Sequence, residues 1–92
     1  MQKIQIERNP SEARLRELGV RRWSIWSKGV SEFPWEYDTD EVCYILEGRV
    51  IVTPDGGEPV EIQKVDLVTF PAGMSCTWKI TEPIRKHYEF PM

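Results

Sequence analysis

The stretch "GVSEFPWEYDTDEVCYILEG", Gly29 to Gly48, decides how the chain is read. Glu32 to Tyr37 alternates as a half-buried strand does, acidic turn formers interrupt the run, and Glu41 to Leu46 resumes as an apolar strand closing on Gly48. This is the layout of a hairpin in a barrel wall. Residues two apart on a strand share a face, so Glu41 stands with Cys43 and Ile45, a carboxylate on an otherwise apolar face.

Outward from this hairpin the same chemistry recurs. Further candidate strands are Arg22 to Ser27 on the N-terminal side, and Val50 to Thr53, Val60 to Gln63, Leu67 to Phe70, Ser75 to Ile80 and Ile84 to Phe90 on the other. Turn sequences such as "PDGG" (Pro54 to Gly57) and "PAG" (Pro71 to Gly73) separate them. Near the start, "KIQI" (Lys3 to Ile6) reads as an edge strand and "NPSEARLRELG" as one short helix. Asn9 is expected as its cap, Pro10 at its first position, Glu12 as a capping-box acid and Gly19 as its stop, with Leu15 and Leu18 holding it down. So many short strands in 92 residues predict an all-β fold, a single antiparallel β-barrel or jelly roll over residues 1–92 with one short N-terminal helix.

The formal charge is −3 with acids and bases interspersed and no basic run, which gives no reason to expect nucleic acid or an anionic membrane as partner. No apolar run approaches the ~20 residues of a membrane span, and "MQKIQIERNP" lacks the apolar segment of a signal peptide. A soluble, cytoplasmic protein is expected, with Cys43 and Cys76 as free thiols.

At this point the sequence resembles a cupin. The first cupin motif runs glycine, five residues, histidine, one residue, histidine, three or four residues, glutamate, six residues, glycine; Gly29, Trp35, Tyr37, Glu41 and Gly48 reproduce that spacing with both histidines replaced. In the second motif, "VDLVTFPAGMSCTWKI" keeps Pro71 and Gly73, while Val65 stands for a glycine, Cys76 for the histidine and Ile80 for the asparagine. With its flanks, the chain is similar to the minimal single-domain cupins grouped with (S)-ureidoglycine aminohydrolase and ethanolamine-utilisation protein Q. Metal-binding cupins hold a divalent ion with the two histidines, the glutamate and the later histidine. Only Glu41 remains here as a good ligand, with Cys76 a possible thiolate, too few for a site that takes three or four protein ligands. No metal and no other cofactor is expected.

Period-two alternation then supplies candidate site residues. Cys76, Trp78 and Ile80 share one face, with Ser75, Thr77 and Lys79 opposite; Ile84, Lys86, Tyr88 and Phe90 share another, which sets one lysine on an apolar face. A buried lysine and a buried carboxylate are each costly unless paired, so Glu41 and Lys86 are natural partners. The expected site has aromatic walls from Trp35, Tyr37, Trp78 and Tyr88 and a polar floor from Glu41, Cys76 and Lys86. Catalysis, where it occurs, would use Glu41 as general acid or base, tuned by Lys86, and Cys76 as nucleophile. Trp23 and Trp26, three apart, cannot share a face: one is expected in the core, the other against the helix or a partner. His87, on the opposite face, reads as a surface residue. The leading reading is a barrel that binds a small polar or nitrogenous metabolite, forming a homodimer through its N-terminal segment and tryptophans. The alternatives are a metal-dependent hydrolase akin to (S)-ureidoglycine aminohydrolase, as the resemblance implies, and a non-catalytic interaction or oligomerisation module.

Overall fold

Two strands, each nearly three times the length of a typical one, organise the protein. β4 (Glu41–Pro54) and β7 (Ser75–Glu89) pair antiparallel along most of their length. The remaining strands are β1 (Gln5–Arg8), β2 (Ser24–Lys28), β3 (Ser31–Glu36), β5 (Val60–Gln63) and β6 (Asp66–Phe70). α1 (Glu12–Leu18) and a 3-10 turn (Val20–Arg22) lie between β1 and β2. The computed structural model describes residues 3–90.

Each long strand changes partners halfway. The first half of β4 pairs with β6 and its second half with β5; the first half of β7 pairs with β3 and its second half with β2. One sheet therefore runs β1-β6-β4-β7-β2 and the other β5-β4-β7-β3, all antiparallel, and the two share β4 and β7 at a common corner. That is a jelly roll. The register between the long strands shifts at Ile45 to Val50, and there Gly48 at φ 98 lies so close to the other strand that a Cβ would meet the Pro83 carbonyl oxygen at 2.1 Å. Only glycine lets the backbones approach this closely. The strands expected from the sequence end and restart at this corner, at Leu46 to Val50 and Ile80 to Ile84, because polar residues and glycine interrupt the alternation where the chain turns from one sheet into the other.

Two other motif positions have conformational explanations. Gly73 closes the turn after Pro71 at φ 84, and Val65 sits at φ 67, a left-handed conformation that a β-branched residue adopts only under constraint. Backbone bonds fix that turn on both sides: the Val65 N–H donates to the Ile45 carbonyl and its carbonyl accepts from Asn9.

Several local expectations are corrected. Ser11, not Asn9, caps α1, its side chain accepting from the Arg14 N–H, so Pro10 precedes the helix; Glu12 pairs with Arg21 instead of closing a capping box. Gly19 at φ 71 ends the helix as expected, and Leu15 is buried beneath it. The first strand begins at Gln5 and extends to Arg8, whose guanidinium pairs with the buried Asp66. His87 is buried, and its Nδ1 donates to the carbonyl of Trp23, at the end of the 3-10 turn, at 3.1 Å. Trp26 packs edge-on against Trp78 in the core, whereas Trp23 lies beside the helix.

The core fills the space between the sheets with Phe70, Ile45, Ile62, Ile80 and Ile84 among its fully buried side chains. Each contributes about 1.5–3 kcal/mol of transfer free energy before entropy is counted. Gly48→Ala is expected to destabilise by about 3 kcal/mol or more, since it adds backbone strain to a backbone clash. Urea denaturation against the parent chain checks this, and a loss under about 1 kcal/mol would mean that the corner relaxes freely.

Candidate functional site

Glu41 opens β4 and Lys86 lies in the second half of β7, on adjacent strands with both side chains turned inward. Their charged ends meet in the interior: Lys86 Nζ donates to Glu41 Oε2 at 2.8 Å, and each side chain is 7% exposed. Cys43, two residues after Glu41 and so on the same face, completes a triangle. Its thiol donates to Glu41 Oε2 (3.0 Å) and accepts from Lys86 Nζ (3.2 Å). Both charges are thus paired and hydrogen-bonded, the condition under which burial of an ion pair is tolerable.

Aromatic rings surround the ammonium. Nζ lies 4.8 Å from the centroid of Trp78, 5.1 Å from Trp26 and 5.8 Å from Tyr88. Above it opens a cavity of about 240 Å³, lined by Trp26, Phe33, Trp35, Trp78, Tyr88 and Phe90, with Glu41 and Lys86 as its charged residues. Trp35 and Phe90 are half-exposed and mark the side open to solvent, while the ion pair forms the floor. Phe33 stacks on Trp78 at 6.2 Å and meets Trp35 edge-on, so one wall is a continuous aromatic surface.

Of the residues expected from the sequence, Glu41, Lys86, Trp35, Trp78 and Tyr88 are brought together at this cavity. Tyr37 and Cys76 do not line it. Tyr37 is buried, stacked on Phe70 at 4.7 Å, and its hydroxyl accepts from Trp78 Nε1 at 3.1 Å, so it supports the wall from behind. Cys76 is buried too, and burial pushes its thiol up to about 11, which withholds the thiolate a nucleophile needs. Sequence reasoning missed four contributors, among them Phe90, which was visible only as a face-mate of Lys86 and Tyr88. Cys43 was visible as a face-mate of Glu41 and Phe33 as a face-mate of Trp35, while nothing in the spacing indicated that Trp26 turns inward.

The electrostatics of the floor follow from desolvation and pairing. Burial opposes the charge on Lys86, but Cys43 and Glu41 outweigh it, and the ammonium is held above the ordinary lysine range. Burial pushes the Cys43 thiol far above its ordinary value, only partly offset by Lys86, and pushes the Tyr37 phenol up as well. At neutral pH Lys86 is therefore an ammonium and Cys43 a neutral thiol.

A cupin metal does not fit this donor set. Trp35 has no lone pair to offer, the Tyr37 hydroxyl is engaged with Trp78, and the carboxylate of Glu41 is already neutralised by Lys86. Among the described residues no group of three or more His, Cys, Asp and Glu side chains could hold a metal ion.

A jelly roll whose two sheets share a pair of long bent strands around an inward-facing site is the architecture expected of a cupin. Residues 15–88 match the EutQ-like cupin domain, and the chain belongs to that family. Among solved structures it is similar to a DUF861 family protein of Thermotoga maritima, with 54% identity over 97% of this chain and all of that one, at a TM-score of 0.93. It is also similar to a Salmonella typhimurium protein described as an ethanolamine utilization protein Q, with 26% identity over 70% of this chain, about half the length of that one, at a TM-score of 0.63. The EutQ protein of Clostridium difficile, 22% identical over 70% of this chain and 46% of that one, shares the fold at a TM-score of 0.63. No curated protein matches the chain.

Two measurements probe the floor. Glu41→Gln leaves the Lys86 ammonium buried without its counter-charge and is expected to cost about 3–5 kcal/mol in chemical denaturation, while Glu41→Gln with Lys86→Met recovers most of the loss. Equal stability of parent and single variant would place Lys86 in water. Stability is also expected to fall as pH rises from about 9 towards 11. The folded state holds its protons more tightly than the unfolded chain at Cys76, raised from 9.0 to about 11, and at Cys43, Tyr37 and Lys86, all raised. Each such group stabilises below its unfolded pKa and ceases to as pH passes the folded one, so a melting temperature flat across this window would contradict the assignment.

Proposed function

We propose that this chain is a small-molecule-binding cupin whose ligand enters past Trp35 and Phe90 and rests on the Glu41–Lys86 pair. The observation that carries this reading is the cavity itself: six aromatic side chains converge above two buried, oppositely charged ones, the mixture of apolar wall and few polar groups that small-molecule sites use. Its volume of about 240 Å³ is the share of roughly eight liquid waters, so the ligand is small. Cytoplasmic location accords with the absence of a membrane-spanning helix among the described residues.

If the bound molecule is turned over, Glu41 is the group placed to move a proton at it, with Lys86 fixing the carboxylate and stabilising negative charge that develops nearby. Cys76 has no part in this proposal, being outside the cavity and protonated. The metal-dependent hydrolase reading is disfavoured by the same geometry, since the one carboxylate it would use is paired with Lys86 and no group of three or more His, Cys, Asp or Glu side chains among the described residues could hold an ion. Homodimer formation remains part of the proposal. Its surface would be Ile25 and Val30, which are exposed on and beside the edge strand β2, because Trp26 and Ile6 pack largely inward.

Thermal-shift measurements with a library of ring-containing fragments are expected to find compounds that raise the melting temperature, and Trp35→Leu should reduce the shift. Protein purified without added metal is expected to carry well under one equivalent of any transition ion, and EDTA should leave its melting temperature unchanged. A stoichiometric ion whose removal lowers stability would overturn the metal-free reading and favour the hydrolase.

A further inference from the structure

The ion pair at the floor of the cavity is not fully used. Lys86 Nζ carries three donors, and two of them go to Glu41 Oε2 and Cys43 Sγ. Glu41 accepts at Oε2 from both Lys86 and Cys43, and Oε1 has no partner among the described residues. No wholly buried side-chain oxygen or nitrogen among those residues lacks a partner, so Oε1 keeps contact with accessible space, and the cavity that Glu41 lines is that space. The floor thus presents an unpartnered acceptor, Oε1, beside the Lys86 ammonium, and both residues line the cavity.

From this juxtaposition we infer that the ligand is a single planar ring bearing an adjacent carbonyl acceptor and N–H donor, a cyclic amide. Its carbonyl accepts the remaining Lys86 N–H, its ring N–H donates to Glu41 Oε1, and its faces lie against the aromatic wall of Phe33, Trp78 and Trp26. Three alternatives meet specific penalties. A carboxylate offers two acceptors and so brings a second negative charge against Glu41. A cationic ligand, which an aromatic box often favours, meets the ammonium already held over Trp26, Trp78 and Tyr88. A saturated ring with the same polar edge loses its stacking. The paired charges sum to zero, so a neutral ligand enters without an uncompensated charge.

This inference rests on the binding reading above, and a set of five probes separates the two. 2-Pyridone presents the amide edge on a flat ring; 1-methyl-2-pyridone lacks the donor; 2-piperidone keeps the edge but is not planar; benzoate and benzylamine carry charges of each sign. Titration calorimetry is expected to show 2-pyridone binding about tenfold more tightly than its methylated and saturated analogues, since a hydrogen bond to a charged group and a stacked face each carry about that much. Trp35→Leu, a change at a half-exposed rim residue, should weaken 2-pyridone several-fold. If 1-methyl-2-pyridone or 2-piperidone binds as well as 2-pyridone, or if benzoate or benzylamine binds better, the cyclic-amide assignment is overturned and the cavity stands as a binding site. If 2-pyridone binds but Trp35→Leu leaves its affinity unchanged, the ligand sits elsewhere and the assignment falls. If none of the five binds, the binding reading itself falls with it.

Discussion

Between Ile45 and Val50 on one side and Glu82 and Ile84 on the other, β4 and β7 must bend together, because each belongs to one sheet before the corner and to the other after it. Everything else is hung on this pair of strands. β6 and β5 take the two halves of β4, β2 and β3 take the two halves of β7, and the core lies in the angle between them. The close backbone approach at Gly48 is what permits the bend, and the bend encloses the interior. The same ladder decides the chemistry, since Glu41 and Cys43 come from the first half of β4 and Lys86 from the second half of β7, where the two strands are neighbours.

A buried ion pair is usually weak evidence of stabilisation, and this one need not be an exception. What distinguishes it is completeness on one side and incompleteness on the other. Towards the core every contact is made: the thiol of Cys43 joins both charges, and Trp78 is held in place from behind by the Tyr37 hydroxyl. Towards the cavity, Glu41 Oε1 is left without a partner beneath a wall of aromatic rings. Packing without a ligand in mind would tend to satisfy both faces alike.

The sequence made much of this legible, and the failures have physical reasons. Spacing and punctuation, Gly29 to Gly48 and Pro71 to Gly73, were enough for the jelly roll, because glycine and proline mark positions where the backbone has few alternatives. Period two was enough for Glu41 facing Lys86, since it fixes which side of a strand a residue occupies. It does not fix depth along the barrel. Tyr37 and Cys76 point inward as expected yet end beneath the wall and away from the cavity, and Trp26 turns inward from a strand whose other residues are mostly exposed. His87 alternates as a surface residue does, yet its ring packs against the chain that leaves the 3-10 turn, where it meets the Trp23 carbonyl, a long-range contact that alternation cannot foresee. The helix cap moved from Asn9 to Ser11 because several residues in "NPSE" can cap and local chemistry alone does not choose among them.

The ammonium of Lys86 carries one more implication. A positive charge supplied by a side chain is installed when the chain is synthesised, in fixed stoichiometry and with one identity. It needs no loading step, does not vary with the supply of trace elements, and cannot be exchanged for a competitor ion that would alter the reactivity of the site. Its position is fixed by the strands that bear it, so the rings around it can change while the charge stays where it is.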